Sequence, residues 1–149
     1  MTRSADLLAT SAAIMGAAGV ALAAASTHAG GGEFGRTASQ FLVLHGAALI
    51  GVSACARARA PRRTRGLVGA GAALAVGTLL FSGDLACRAF AGVRLFPFAA
   101  PVGGSLMILS WAALALVFAL PQKNRGPPRR PRGEEREAGA PAPRRERRY

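Results

Sequence analysis

Apolar residues gather in four stretches, residues 7–26, 38–56, 66–83 and 95–120, and every Arg, Lys, Asp and Glu lies outside them. Each stretch holds 18 to 26 residues, and an α-helix needs about 20 to cross roughly 30 Å of hydrocarbon. A helix on the core of a soluble protein keeps a polar face for water, whereas these stay apolar all round. The pattern therefore predicts an all-α, polytopic membrane protein. Its transmembrane domain covers residues 1–120 as a bundle of four helices at about 7–26, 38–56, 66–88 and 101–120.

The first stretch follows Arg3 and ends in the small residues Ala23, Ala24, Ala25 and Ser26, the outline of a cleaved signal peptide. It is longer than the usual h-region of about 7 to 15 residues, and Asp6 interrupts the positive flank. It reads as helix 1. The connector Thr27–Thr37, with Gly30, Gly31 and Gly32, reads as a short flexible outer loop. Arg57–Arg65, which contains Pro61, reads as a basic turn. Pro97 and Pro101 frame the entry to helix 4, and proline suits a first helical turn but not an interior, so helix 4 is placed from Pro101 to Leu120.

The net charge of +12 suggests nucleic acid until the cations are located. Arg57, Arg59, Arg62, Arg63 and Arg65 lie between stretches 2 and 3, and ten of the nineteen Lys and Arg residues follow Pro121. The other two connections carry only Arg36, Arg88 and Arg94. Under the positive-inside rule both arginine-dense segments are cytoplasmic, and an even number of spans puts the N-terminus there too. Residues 121–149, rich in Pro, Gly, Arg and Glu, cannot bury enough surface to order themselves. They are expected to form a disordered cytoplasmic tail. This tail and the basic loop offer cations to anionic lipid headgroups at about 1 kcal/mol each, and no nucleic-acid partner is expected.

Small residues recur at helical spacing, with Gly16 in helix 1, then Gly69, Ala73 and Gly77 in helix 3 and Gly103 and Gly104 in helix 4. Such seams let backbones approach closely, within the chain, in a homo-oligomer or against other membrane proteins. Cys55 and Cys87 fall at opposite ends of their helices. That places about 30 Å of bilayer between them, too far for a disulfide. His28 and His45 share no ligand spacing with either, so no metal or other cofactor is expected.

Gly77-Thr-Leu-Leu-Phe-Ser-Gly83, then Arg94-Leu95, Pro101-Val-Gly-Gly104 and Trp111, resemble the small membrane-protein family known as domain of unknown function 423. Its eukaryotic relatives are the transmembrane protein 256 group. His28, Thr37 and His45 also fall where that family carries a histidine closing helix 1 and another within helix 2. The resemblance covers about residues 7–120 and implies four helices in a bacterial plasma membrane or its organellar equivalent, with no established activity. The family usually reads Ser-Gly-Ser-Leu-Tyr where this chain has Ser82-Gly83-Asp84-Leu85-Ala86, so a hydroxyl has become a carboxylate. It also carries threonine where this chain has Ala100.

At 1.5 Å of rise per residue, His45, Thr78 and Ser110 fall in one layer roughly 15 to 18 Å from the cytoplasmic ends, and Gln40, Ser82 and Ser105 in another at about 22 to 24 Å, with Asp84 just beyond. These seven residues form the candidate polar cluster. An ionisable group within a span should face the interior and find a partner. For His45 the structural reading is a neutral imidazole bonded to Thr78 or Ser110. The functional reading is a proton relay or solute site opening toward Gln40 and Asp84. Asp84 and Arg88 have the spacing of a same-face ion pair, expected at the lipid interface, and Trp111 is expected to pack on the Gly69, Ala73, Gly77 seam. No nucleophile with a base, phosphate loop or metal cluster is present in the sequence, so an enzyme is not expected. Two functions follow: a structural or accessory membrane component, or a small-solute or proton transport unit around His45.

Overall fold

The structure, a computed structural model, describes residues 2–59 and 61–120; the expected tail at 121–149 lies outside them. Four helices follow one another: α1 (Thr2–His28), α2 (Gly32–Arg57), α3 (Pro61–Ala91) and α4 (Ala99–Ala119). No strand is present among the described residues. All four are long and apolar enough to cross a membrane. At 27, 26, 31 and 21 residues, the first three exceed the hydrocarbon thickness and carry their polar ends beyond it.

The helices extend into segments that composition alone assigns to loops. The expected flexible loop at 27–37 contracts to Ala29–Gly31, because Gly30 (φ 77°) and Gly32 (φ 57°) reverse the chain in conformations that only glycine adopts without strain. Gly31 between them is buried, and a Cβ there would lie 2.6 Å from the Phe90 ring. A glycine run that looks loose is therefore a tight corner. Pro61 opens α3 rather than standing in a turn, since its fixed φ suits a first helical position and its missing N–H costs nothing there. α4 likewise begins at Ala99, with Pro101 inside its first turn, after a left-handed Phe98 (φ 68°).

Consecutive helices pack against one another and α1 also touches α3. No Cα of α4 comes within 8 Å of one in α1 or α2, so α4 flanks the bundle against α3. The interior holds Leu49, Leu67, Leu74 and Leu114 with Ala5, Leu8, Ala12 and Met15. Large apolar side chains also cover the outside, among them Leu7, Leu44, Ile108 and Leu116, each more than 60% exposed. In water such a surface would drive aggregation; in hydrocarbon it costs nothing, which fixes lipid as the solvent.

Close packing rests on two helix crossings. Gly77 and Gly103 face each other between α3 and α4. A Cβ on Gly103 would stand 2.6 Å from the Phe81 nitrogen and one on Gly77 2.9 Å from the Gly103 oxygen. Between α1 and α2, Gly46 sits where a Cβ would meet the Ala12 oxygen at 2.9 Å. Gly16 lines that crossing as open backbone, and Gly104 has only the Phe81 ring at contact distance. Gly69 does not belong to any seam: it is exposed, with nothing within 4 Å of a Cβ. Ala73 is half-buried.

Candidate functional site

His45 is buried at 5% exposure on the inner face of α2. Its Nδ1 lies 2.9 Å from the Phe41 carbonyl oxygen one turn earlier. A carbonyl only accepts, so Nδ1 carries the proton and Nε2 holds the lone pair. Nε2 in turn accepts from the Trp111 indole N–H of α4 at 3.4 Å. The imidazole also stacks on Phe41 with centroids 5.4 Å apart, and Phe41 leans on Phe81 of α3 at 4.8 Å. One cluster of rings thus joins α2, α3 and α4, and the neutral imidazole has both nitrogens engaged.

This partner differs from the expected ones. Thr78 and Ser110 are buried at the same level, but their hydroxyls donate back to Leu74 O at 2.8 Å and Leu106 O at 2.7 Å. A hydroxyl within a span satisfies itself on the carbonyl four residues back, which leaves His45 to the indole. Trp111 thus bonds His45, and at Gly69, one end of the seam on which it is expected to pack, nothing lies within 4 Å of a Cβ position. The Trp111 ring lies 6.2 Å from that of His45 and its outer edge is exposed.

The outer layer separates. Gln40 and Ser105 are exposed to the surroundings of the bundle, while Ser82 and Asp84 are buried. Gln40 and His45 are five residues apart, about 140° around the helix, and the same holds for Ser105 and Ser110. Ser82 and Asp84, two residues apart, also diverge. The structure therefore does not bring the seven candidates into one site.

Asp84 belongs to a different device. Its Oδ1 accepts the Leu95 backbone N–H at 2.9 Å, holding the chain after α3 against the helix end. Its Oδ2 lies 2.5 Å from the Arg88 guanidinium, whose charge sits 6.0 Å over the Phe34 ring of α2. The pair is ionic rather than well-angled, because Oδ2 and Arg88 Nε both lack a partner in hydrogen-bonding geometry, as does the Ser82 hydroxyl. The ion pair expected from the i, i+4 spacing is therefore formed, with its carboxylate fully buried and its guanidinium partly exposed.

The basic turn also looks inward. Arg57 pairs with Asp6 of α1 at 2.9 Å, Arg59 stands over the Phe118 ring at 5.4 Å, and Arg63 donates to the Leu120 carbonyl at the end of α4. These contacts tie the ends of α1, α2, α3 and α4 together. The lone acid Asp6 near the start of helix 1 is the trace of this arrangement in the sequence. Cys55 and Cys87 are free thiols, and no metal-ligand cluster is present among the described residues.

Residues 15–104 match the model of a family described as "Protein of unknown function (DUF423)". The chain is also similar to the UPF0382 inner membrane protein YgdD of Escherichia coli K12, with 49% identity over 53 residues, 36% of this chain and 40% of that protein. The YgdD protein of Shigella flexneri matches to the same extent. The match thus spans less than half the length of these curated relatives. No solved structure matches the chain.

Proposed function

The chain belongs to the DUF423 family of proteins of unknown function, and from that premise we propose that it is a non-enzymatic structural or accessory component of the plasma (inner) membrane, acting through its packing surfaces. The observation that carries this reading is the state of His45. Its two nitrogens are occupied by Phe41 O and Trp111 Nε1, and Gln40 and Ser105 point away from it. A proton relay needs a nitrogen free to exchange with water or a carboxylate, and a bridge between helices does not. The inner-membrane location is supported by the names of the relatives. A cytoplasmic location of both ends follows from the arginine excess at residues 57–65 and in the C-terminal tail.

The exposed apolar flanks of α1 and α4 are suited to other membrane proteins or a second copy of this chain. Transport remains the second reading, favoured by the buried Asp84 and by a Ser82 hydroxyl that is buried without a partner, because such atoms attract water. Proteoliposomes carrying the full chain and an internal pH dye separate the two. The accessory reading expects proton leakage equal to that of empty vesicles. A flux that disappears in His45→Leu would overturn it.

A further inference from the structure

Ser4 of α1 and Thr64, Arg65, Val68 and Gly69 of α3 line a groove of about 310 Å³ at the arginine-dense end of the bundle. It is too large for a single bridging water. The charge-free stretches of these two helices begin at residues 7 and 66, so the groove lies where hydrocarbon gives way to headgroups. Its lining is graded along the membrane normal. Ser4, Thr64 and Arg65 stand at the rim, and Val68 and Gly69 lie about one turn deeper. Gly69 keeps the deeper part open, since a Cβ there would meet nothing within 4 Å.

Arg57, Arg59 and Arg63 are drawn onto Asp6, Phe118 and the Leu120 carbonyl, whereas Arg65 is exposed at the groove. The Thr64 hydroxyl donates to the Ala56 carbonyl at 2.9 Å, which leaves Arg65 and the Ser4 hydroxyl as the polar groups of the rim. We propose that this groove holds one anionic phospholipid of the adjacent leaflet, its phosphate on Arg65 and Ser4 and an acyl chain against Val68 and over Gly69. The polar-to-apolar order of the lining is the order of a phospholipid entering from the side. The surrounding arginines favour a headgroup without an ammonium. This inference is independent of whether the protein is an accessory component or a transporter.

The test is native mass spectrometry of the full chain equilibrated in micelles with equal phosphatidylglycerol and phosphatidylcholine. The wild type is expected to retain one phosphatidylglycerol about fivefold over phosphatidylcholine, the factor for one cation near the surface. R65Q should fall to parity, R65K should keep the preference, and G69L should lose the bound lipid of either kind. R94Q, at the opposite end, should behave as wild type. An unchanged preference in R65Q, or undiminished binding in G69L, would overturn the proposal. Because Arg65 is exposed, R65Q decides the question even where G69L fails to fold.

Discussion

The Trp111 indole N–H meets His45 Nε2 at 3.4 Å, joining two helices whose backbones do not otherwise approach. α3 lies between them, and its Phe81 fills the space under Phe41. The bond sets the rotation of α4 about its own axis, because a turn of either helix would part donor from acceptor. An interhelical hydrogen bond in lipid averages about 0.6 kcal/mol, so its effect lies more in specifying the packing than in strength.

Trp111→Phe should keep most of the ring packing and lose only the donor. Unfolding in mixed micelles should show a destabilisation of about 0.6 kcal/mol, and the His45→Leu, Trp111→Phe double-mutant cycle should return a coupling of similar size. Additive effects would mean that the two rings are neighbours without a bond.

The glycines divide into those that permit an approach and those that do not. Gly103→Ala would press a Cβ onto the α3 backbone at Phe81, which cannot move aside as a side chain tip can. A loss of about 1–3 kcal/mol is expected from this overpacking. Gly69→Ala meets open space and, with alanine's better helix propensity, should be neutral or stabilising by up to about 1 kcal/mol. Unfolding titrations of the two variants check this contrast; equal effects would refute the assignment of the α3 to α4 crossing.

The four spans are plain in the sequence because lipid imposes one requirement, an apolar surface on every side, and residues 7–26, 38–56, 66–83 and 95–120 all meet it. The same uniformity hides which side faces in. Depth follows from counting residues, so His45, Thr78 and Ser110 can be placed in a layer. Azimuth needs a contrast between faces, and without it Gln40 and Ser105 are counted with His45 although they point outward. Local chemistry supplies the remaining differences. Thr78 and Ser110 find acceptors on their own helices, so the indole becomes the interhelical donor. In the same way, arginines that composition offers to lipid find Asp6, Phe118 and the Leu120 carbonyl.

Asp84 serves two partners, and its variants should separate them. Asp84→Asn keeps an oxygen for the Leu95 N–H but gives up the charge opposite Arg88, whereas Asp84→Ala loses both. Hydrogen exchange at the Leu95 amide should stay protected in the first and accelerate in the second, with opening of residues 92–98. Both variants leave the Arg88 charge, whose side chain is 25% exposed, without its counterion. Part of that cost is relieved by solvent, so each should be less stable than wild type by less than the roughly 3–5 kcal/mol of a fully buried broken pair. Protection of Leu95 in Asp84→Ala would show that the helix end holds the loop without the carboxylate.

The two ends of the bundle differ sharply in charge. The arginine-dense turn at residues 57–65 sits at one end of the bundle, and the connection carrying Arg94 sits at the other. Ala58 and Arg94 are both exposed, so cysteines introduced at either place in a chain lacking Cys55 and Cys87 can meet reagent without disturbing the core. A membrane-impermeant maleimide added to intact spheroplasts should label Arg94→Cys and spare Ala58→Cys, and lysis should make Ala58→Cys reactive. The sign follows from the cost of moving five arginines outward against the cytoplasmic excess of Lys and Arg that orients helical membrane proteins. Labelling of Ala58→Cys alone in intact cells would invert the chain and move the Arg65 groove to the outer leaflet, while leaving every intramolecular contact unchanged.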